Sequence, residues 1–306
     1  MTQLDFTGVF PAMTTPFASD GRIDHETLAA DARRLEDAGV AGLVPAGSTG
    51  ESATLTHDEH IEVVETVVEA VDDVPVIAGS GSNSTHEAVD LSRRAAGAGA
   101  DALLLISPYY NKPEQAGLYE HFRAVADAID LPQIVYNVPG RTGRNIEPET
   151  VADLATHENV RAYKAASGDI AQISEVVEYT RDQDLAVLSG DDALTLPVCT
   201  LGGRGVISVA GNVEPERTVE LVDAALAGDL ERARELHFEL SPLFRQLFAE
   251  TNPIPVKAAM AVRDHAPERL RSPLTELSAG PREELERILA ALDERSEPDT
   301  ETTEAA

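Results

Sequence analysis

Lysine is rare in this chain, and the place of one lysine predicts a chemistry. The 306 residues contain 24 lysines and arginines, of which only Lys112, Lys164 and Lys257 are lysines. Lys112 falls in a polar loop and Lys257 opens a segment of small residues, whereas Lys164 lies near the C-terminal end of the apolar run VRAYKAAS. Desolvation lowers the pKa of a lysine, and a neutral amine can attack a ketone and form a Schiff base. Lys164 is therefore either a nucleophile or a buried lysine paired with a carboxylate.

The apolar run before that of Lys164 ends in a tyrosine and leads to an arginine loop. Tyr136 closes the run, and a phenol at this place can exchange protons with a carbinolamine. Arg141 follows in a loop that Pro139 stiffens, and its guanidinium is suited to hold a carboxylate through two hydrogen bonds. The alternatives are that Tyr136 packs in the core and that Arg141 pairs with one of the many carboxylates of the chain.

Two further loops at the ends of apolar runs carry hydroxyl groups. Residues 47–52 read Gly-Ser-Thr-Gly-Glu-Ser, and glycines that flank two hydroxyls ahead of a helix form a nest of N–H donors for a carboxylate or phosphate. No Gly-Lys-Ser/Thr follows, so the loop is not a P-loop, and a plain strand-to-helix turn is the alternative. Tyr109 and Tyr110 end another run, and we expect one of them to serve a hydroxyl relay and the other to pack.

Metal and phosphate sites are less well supported. His57 and His60 lie in THDEH, which is not the HExxH pattern of a zinc protease. Residues 190–192 (Gly-Asp-Asp) are more typical of a helix cap than of a cation site, and residues 201–205 are more typical of a tight turn than of a phosphate loop. Cys199 is the single cysteine, which excludes an intrachain disulfide and argues against a thiolate cluster. We expect neither a metal nor an organic cofactor.

Short apolar runs alternate with segments of helical period through about two thirds of the chain. The runs cover residues 8–14, 42–46, 75–79, 102–107, 133–138, 160–165, 185–189 and 205–209. Apolar runs without a period of two predict strands buried on both faces, and their alternation with helices predicts parallel βα units. Eight units predict a (β/α)8 TIM barrel, whose active site lies where the strands end. An open doubly wound sheet is the alternative, but no GxGxxG follows the first run.

After residue 212 the sequence predicts helices only. The helical patterns cover residues 215–227, 230–248, 256–263 and 281–293. They predict the last barrel helix and an all-helical C-terminal extension. We accordingly divide the chain into barrel strands and helices at 1–214, a helical region at 215–293 and an acidic disordered tail at 294–306.

The charge balance excludes several classes of partner. With 54 acidic residues against 24 basic ones the formal net charge is −30, which would repel nucleic acid and anionic membranes. Many carboxylates and few lysines are typical of adaptation to concentrated salt, where charge repulsion is screened, although an ordinary acidic protein is the alternative. The N-terminus shows no signal-peptide pattern and no apolar run approaches about 20 residues, so we expect a cytoplasmic protein that does not span a membrane.

Six motifs in order carry a resemblance to a known family. They are GSTGESATLTHDEH, SPYYNKP, LPQIVYNVPGRTG, YKAASG, SGDDA and GVISVAGN. Between about residues 8 and 257 the chain resembles the dihydrodipicolinate synthase/N-acetylneuraminate lyase family of Schiff-base aldolases. The resemblance implies a (β/α)8 barrel with C-terminal helices, a homotetramer built as a dimer of dimers, and no cofactor. It implies pyruvate and a small aldehyde as substrates, with L-lysine as an inhibitor in some members.

The resemblance also implies roles for individual residues. The catalytic set comprises the Schiff-base lysine, the proton-shuttling tyrosine and two further hydroxyls, the last of which reaches in from a neighbouring subunit: Lys164, Tyr136, Ser48 and Tyr110. The substrate-binding set holds two carboxylates through side chains and lines the pocket through backbone atoms: Thr49, Arg141, Gly190 and Ile207. The set that matches the L-lysine site of feedback-inhibited members is Ser52, Ala53, Leu55, His57, His60, Asn83, Glu87 and Tyr109.

The arginine loop indicates the substrate. NVPGRTG resembles the loop of family members that condense pyruvate with L-aspartate 4-semialdehyde to give 4-hydroxy-tetrahydrodipicolinate, in lysine and diaminopimelate synthesis. Two positions differ from the usual pattern of those members, since Ser48 replaces a threonine and Ala165 replaces a glutamate. The alternatives are a 2-keto-3-deoxygluconate (or 6-phosphate) aldolase of the same family and a catalytically inactive barrel that senses lysine or a keto acid.

Overall fold

A ring of parallel strands forms the centre of the molecule. A computed structural model describes residues 4–295. In this part of the chain, seven parallel strands form one sheet in the order β1-β7-β6-β5-β4-β3-β2. The strands are β1 (Gly8–Pro11), β2 (Ile77–Gly79), β3 (Ala102–Ile106), β4 (Gln133–Asn137), β5 (Val160–Ala165), β6 (Ala186–Ser189) and β7 (Gly205–Ser208).

Residues 42–46, the second predicted run, fill the gap between β1 and β2. Val44 forms a parallel bridge with the residue after β1, and Leu43 forms one with the residue before β2. Pro45 has no N–H to donate and Ala46 turns to φ +55°, so the pairing stays two bridges long instead of becoming a strand. The segment nevertheless completes eight βα units. The prediction of a (β/α)8 barrel is confirmed, and the sheet is not the open doubly wound alternative.

Helices follow the strands and cover the ring. They are α1 (His25–Asp37), α2 (His57–Ala70), α3 (Thr85–Gly97), α4 (Gln115–Ala128), α5 (Pro139–Thr142), α6 (Pro148–Leu154), α7 (Ile170–Thr180), α8 (Thr195–Thr200) and α9 (Pro215–Ala227). Side chains cap the N-termini of several of these helices. At the start of α2, the Thr56 hydroxyl and the Glu59 carboxylate form a capping box. The predicted alternation of apolar runs with helical segments is therefore confirmed.

Alternation along the strands places one set of side chains inside the ring. On β5, Ala162 packs in the inner layer with Ile134 and Leu188, whereas Tyr163 packs in the layer between strands and helices. Successive side chains of a strand point to opposite faces, so Lys164 points into the ring with Ala162. The fold therefore directs this lysine toward the barrel interior.

The C-terminal helices form their own apolar layer against α8 and α9. They are α10 (Leu230–Gln246), α11 (Ile254–Val262) and α12 (Ala279–Glu294). Leu236, Phe244, Met260 and Leu289 are buried together in this layer. The all-helical extension is thus confirmed, while the division of the chain at residue 214 stays a prediction. The predicted acidic tail lies outside the described residues from position 296 onward. Within residues 4–295, no helix has the length and apolar character needed to cross a membrane.

Candidate active site

Lys164 lies near the end of β5 beside the tyrosine of β4. Tyr136 and Lys164 are register partners across the two strands, and Lys164 Nζ lies 4.3 Å from the centroid of the Tyr136 ring. The lysine is only 5% exposed. Burial lowers the pKa of Lys164 to about 7; the Arg141 charge adds to this and the Asp192 charge opposes it. A large fraction of this amine is therefore neutral near pH 7, as a Schiff-base nucleophile requires.

The tyrosine stays a phenol and has a hydroxyl neighbour. Burial raises the pKa of Tyr136, against the Arg141 charge and a hydrogen bond with Ser48, both of which lower it. A protonated phenol bonded to a second hydroxyl can pass a proton in either direction. Tyr136 and Ser48 are thus close enough to interact, as the predicted relay requires, and their role in proton transfer stays a prediction.

A cavity of about 150 Å³ joins these groups at the strand ends. The predicted catalytic and substrate-binding residues on its wall are Ser48, Thr49, Tyr136, Arg141, Lys164 and Gly190. The cavity is smaller than the roughly 300–1,000 Å³ of pockets for drug-sized ligands, so it suits a substrate of a few carbons. Six of the eight residues predicted for these two sets are therefore brought together.

A glycine leaves room for the lysine side chain. A Cβ on Gly190 would lie 3.0 Å from both Cγ and Cε of Lys164 and 2.8 Å from the Ala166 Cβ. The first two atoms belong to a flexible side chain, but the third does not. Gly190 therefore lets the segment after β6 pack directly against Lys164.

The two remaining residues of these sets lie elsewhere. Ile207 is buried in the inner layer of the ring with Tyr136 and does not line the cavity. Tyr110 is 88% exposed with φ +68°, so its own chain does not carry it into the cavity. The role of Tyr110 in a neighbouring subunit stays a prediction, as does that of Ile207.

Asn252 is a residue of the site that the sequence analysis missed. Its side-chain amide donates to Thr49 Oγ1 at 2.9 Å, and its main-chain oxygen accepts from Arg141 Nη2 at 2.9 Å. Its Oδ1 is buried and has no hydrogen-bond partner among residues 4–295. Asn252 precedes α11 and lines the cavity, so the C-terminal region holds both predicted carboxylate-binding side chains in place. No motif around Asn252 signals this contact.

The buried lysine that is paired with a carboxylate is Lys257, so the alternative proposed for Lys164 applies to Lys257 instead. Lys257 Nζ donates to the Glu51 carboxylate and to the Arg269 carbonyl oxygen, and it lies 4.2 Å from the centroid of the Phe17 ring. Burial lowers the pKa of Lys257 to about 8, which the Glu51 charge opposes. The two buried lysines of the chain therefore differ, since one faces a cavity and the other is bonded to a carboxylate.

A second cavity of about 480 Å³ shares a wall with the first. Residues predicted to bind L-lysine that line it are Ser52, Ala53, Leu55, His57, His60, Glu87 and Tyr109. Asn83 is not on its wall, and its carbonyl oxygen accepts from Asn111 Nδ2 at 3.1 Å. Ser48, Tyr136 and Arg141 line both cavities, so the two sites share side chains.

The histidines of this second cavity are not arranged as metal ligands. His57 Nε2 lies 3.0 Å from a Glu87 oxygen, and His60 bonds to the Gly79 carbonyl. Burial lowers the pKa of His60. Among residues 4–295, no group of three or more histidine, cysteine and acidic side chains could hold a metal ion.

The two aspartates after Gly190 have different surroundings. Asp191 caps the turn that follows by accepting from the Ala193 amide at 3.0 Å, as predicted. Asp192 is 2% exposed and accepts hydrogen bonds from Ser208 and from two backbone amides. The Gly-Asp-Asp pattern by itself does not distinguish these two roles.

The strand ends of this barrel surround a partly neutral lysine, a phenol and an arginine. This arrangement defines the class of (β/α)8-barrel enzymes that form a Schiff base on a lysine. The profile of the dihydrodipicolinate synthetase family matches residues 5–292, and the chain belongs to that family. The chain is 68% identical to a 4-hydroxy-tetrahydrodipicolinate synthase of Haloarcula marismortui over 96% of each chain.

Solved structures agree with this assignment. The dihydrodipicolinate synthase of Aquifex aeolicus is 46% identical and superposes with a TM-score of 0.92, over 94% of this chain and 98% of that one. A DHDPS of Cyanidioschyzon merolae with lysine bound is 40% identical, with a TM-score of 0.91 over 94% and 98% of the two chains.

Proposed function

We propose that the chain condenses pyruvate with L-aspartate 4-semialdehyde to give 4-hydroxy-tetrahydrodipicolinate, in lysine and diaminopimelate biosynthesis. The observation that carries the proposal is Lys164, a buried amine with its pKa lowered to about 7, in a small cavity that Tyr136 and Arg141 also line. The printed name of the 68%-identical relative supports the same product.

The reaction begins with imine formation on Lys164. The neutral amine attacks the ketone carbon of pyruvate, and one amine proton passes to the oxygen to give a carbinolamine. A second proton, donated to this hydroxyl, lets it leave as water and gives a cationic Schiff base. Each of these steps moves a proton, and the Tyr136–Ser48 pair can supply and remove it. Tyr110 of a neighbouring subunit completes this relay in a homotetramer.

Carbon–carbon bond formation follows. Loss of a methyl proton converts the Schiff base to an enamine, whose carbon attacks the aldehyde of the second substrate. The amine of that substrate then adds to the imine carbon, closes the ring and releases Lys164. These steps transfer protons and form bonds without any redox change, so no metal or organic cofactor is needed.

Thr49 and Arg141 are suited to bind the carboxylates of the two substrates. Thr49 lies in the 47–52 loop beside the lysine cavity, where its hydroxyl and the loop amides can hold the pyruvate carboxylate. Arg141 faces both cavities and can hold the carboxylate of the aldehyde substrate through its planar guanidinium. Because Asn252 bonds to both residues, it sets the distance between the two carboxylate sites.

L-lysine fits the second cavity as a feedback inhibitor. The Glu87 carboxylate and the His57 ring face this space, and they suit the ammonium groups of an amino acid. The lysine bound in the Cyanidioschyzon merolae relative supports the proposal. Ser48, Tyr136 and Arg141 line both this cavity and the catalytic cavity, and these shared side chains give inhibition a direct route.

The surface charge supports a cytoplasmic protein that works in concentrated salt. A net charge of −30 would repel anionic substrates in dilute buffer, and molar salt shortens the range of that repulsion to about 3 Å. Arg141 provides positive charge at the cavity itself. Folding in molar KCl and unfolding in dilute buffer would support this adaptation, and a full structure in dilute buffer would contradict it.

A substrate panel tests the proposed reaction. Pyruvate is offered with L-aspartate 4-semialdehyde, with D-glyceraldehyde and with D-glyceraldehyde 3-phosphate, and consumption of each aldehyde is followed. We expect turnover with the semialdehyde only. Turnover only with the glyceraldehydes would instead show a 2-keto-3-deoxygluconate or 6-phosphate aldolase, and an absence of Schiff base with pyruvate would show an inactive sensor.

A further inference from the structure

A buried carboxylate beside the lysine cavity has no role in the condensation described above. Asp192 Oδ1 accepts from the Ser208 hydroxyl. Its Oδ2 accepts from the amides of Val209 at 3.0 Å and Ala210 at 3.1 Å. Both oxygens are therefore held in place from β7 and the residues that follow it.

The donors around Asp192 are those of an ionised carboxylate. Three donors are aimed at its two oxygens, and such bonds favour the charged form. Burial raises the pKa of Asp192 above its usual value and the Asp191 charge adds to this rise, while the bonds from Ser208, Val209 and Ala210 oppose it. The buried Asp31 differs, because it forms an ion pair with Arg34 at 2.6 Å. Asp31 is thus a structural carboxylate, whereas the positive group on which the Asp192 charge acts is Lys164.

Asp192 acts through Lys164 and does not line the cavity. The segment that carries it packs against the lysine at Gly190, and its charge favours the cationic form of Lys164. The other titratable or charged groups that face the cavity are Tyr136, Arg141 and Asp191. Of these, Arg141 disfavours the cationic lysine. Asp192 and Arg141 therefore act in opposite directions on charge at the lysine nitrogen.

We propose that Asp192 is a positioning residue whose fixed negative charge stabilises the cationic Schiff base on Lys164. The inference rests on the proposed function. In the carbinolamine the nitrogen is neutral. Its lone pair then forms the C=N bond as the C–O bond breaks, and the hydroxyl takes a proton from the Tyr136–Ser48 pair and leaves as water. The nitrogen gains one positive charge in this step. A negative charge held by Ser208 and two amides favours that product without having to move.

Two readouts separate this role from a purely structural one. In Asp192→Asn the side-chain oxygen can still accept from the two amides and the new NH₂ can donate to Ser208, so the shape is kept and the charge is lost. We expect half-maximal borohydride trapping to need about tenfold more pyruvate, and kcat/KM for pyruvate to fall in step. We also expect the acid limb of trapping to move to lower pH, since loss of the negative charge lowers the pKa of Lys164.

Controls make the outcome decisive. Asp31→Asn removes another buried carboxylate and should leave both readouts unchanged. Ser208→Ala removes one of the three donors that favour the charged form of Asp192, so smaller shifts in the same directions are expected. If Asp192→Asn does not fold, this variant is the test of the inference. A folded variant with the wild-type pyruvate dependence, or with its acid limb moved to higher pH, would overturn the inference. Wild-type protein that traps no pyruvate would instead overturn the proposed function.

Discussion

Replacement of Lys257 by methionine tests the ion pair that joins α11 to the loop of residues 47–52. The Lys257 side chain is 2% exposed and that of Glu51 is 0% exposed, so neither charge has water as an alternative partner. Glu51 also accepts from the Arg271 amide at 3.1 Å. In Lys257→Met most of the apolar part of the side chain is kept, while the Glu51 carboxylate loses its cation and the Arg269 carbonyl oxygen loses a donor.

The structure gives the size of the expected effect. Removal of one partner from a buried pair costs about 3–5 kcal/mol, because a charge is left in a low-dielectric site. The entropy of unfolding of a chain of this length is near 0.6 kcal/mol per kelvin, so the loss corresponds to a Tm lowered by about 5–8 °C. Glu51→Gln in the Lys257→Met background should restore most of it, since the uncompensated charge is then gone.

The assay is thermal unfolding in 2–3 M KCl at fixed protein concentration. Arg287→Met is the matched control, because Arg287 pairs with Glu284 on α12 with side chains 67% and 45% exposed, and such pairs contribute about 0–1 kcal/mol. A Lys257→Met protein that loses no more stability than this control would refute the reasoning. A double variant no more stable than Lys257→Met would also contradict it.

Three further predictions concern the cavities. Trapping of pyruvate by borohydride should fall about tenfold for each pH unit below 7, because the Lys164 amine must be neutral and its pKa is about 7; a flat rate between pH 5 and pH 7 would contradict this. Tyr136→Phe should lower kcat by about 10²-fold or more with the Tm unchanged, and near-normal turnover would remove the phenol from the relay. Millimolar L-lysine should inhibit the wild-type protein, and Glu87→Gln should weaken its binding, as measured by calorimetry, by about tenfold with pyruvate trapping retained. Equal heats for the two proteins would show that lysine binds elsewhere.

The barrel could be predicted because its signal is repeated. Each βα unit shows the same change from an apolar run to a helical period, so weakness in one unit matters little. Residues 42–46 show the weakest strand pattern, since Pro45 interrupts the hydrogen-bond ladder. Their position between two clear βα units nevertheless predicts a strand there. The short helix α5 was predicted as a loop. Its single turn begins at Pro139, and a run of four residues is too short to show a helical period.

Part of the site could also be predicted, because the fold gathers the ends of its strands. Tyr136 and Lys164 are distant in sequence but end adjacent strands, so a correct barrel brings them together. Asn252 could not be found this way, since its bond to Thr49 spans 203 positions and its own surroundings resemble a helix start. Asp192 was hidden for another reason: sequence alone does not tell which of two adjacent aspartates caps the turn and which enters the core.

The most direct test of the Schiff-base account is the identity of the lysine that pyruvate modifies. The protein is incubated with pyruvate and borohydride in molar KCl, digested and mapped by mass spectrometry, with folded Lys164→Ala as the control. Because the chain has only Lys112, Lys164 and Lys257, the assignment is unambiguous. The account predicts one reduced adduct, on the Lys164 peptide, and none in the control. An adduct on Lys112 or Lys257, or no adduct on the folded wild-type protein, would contradict it.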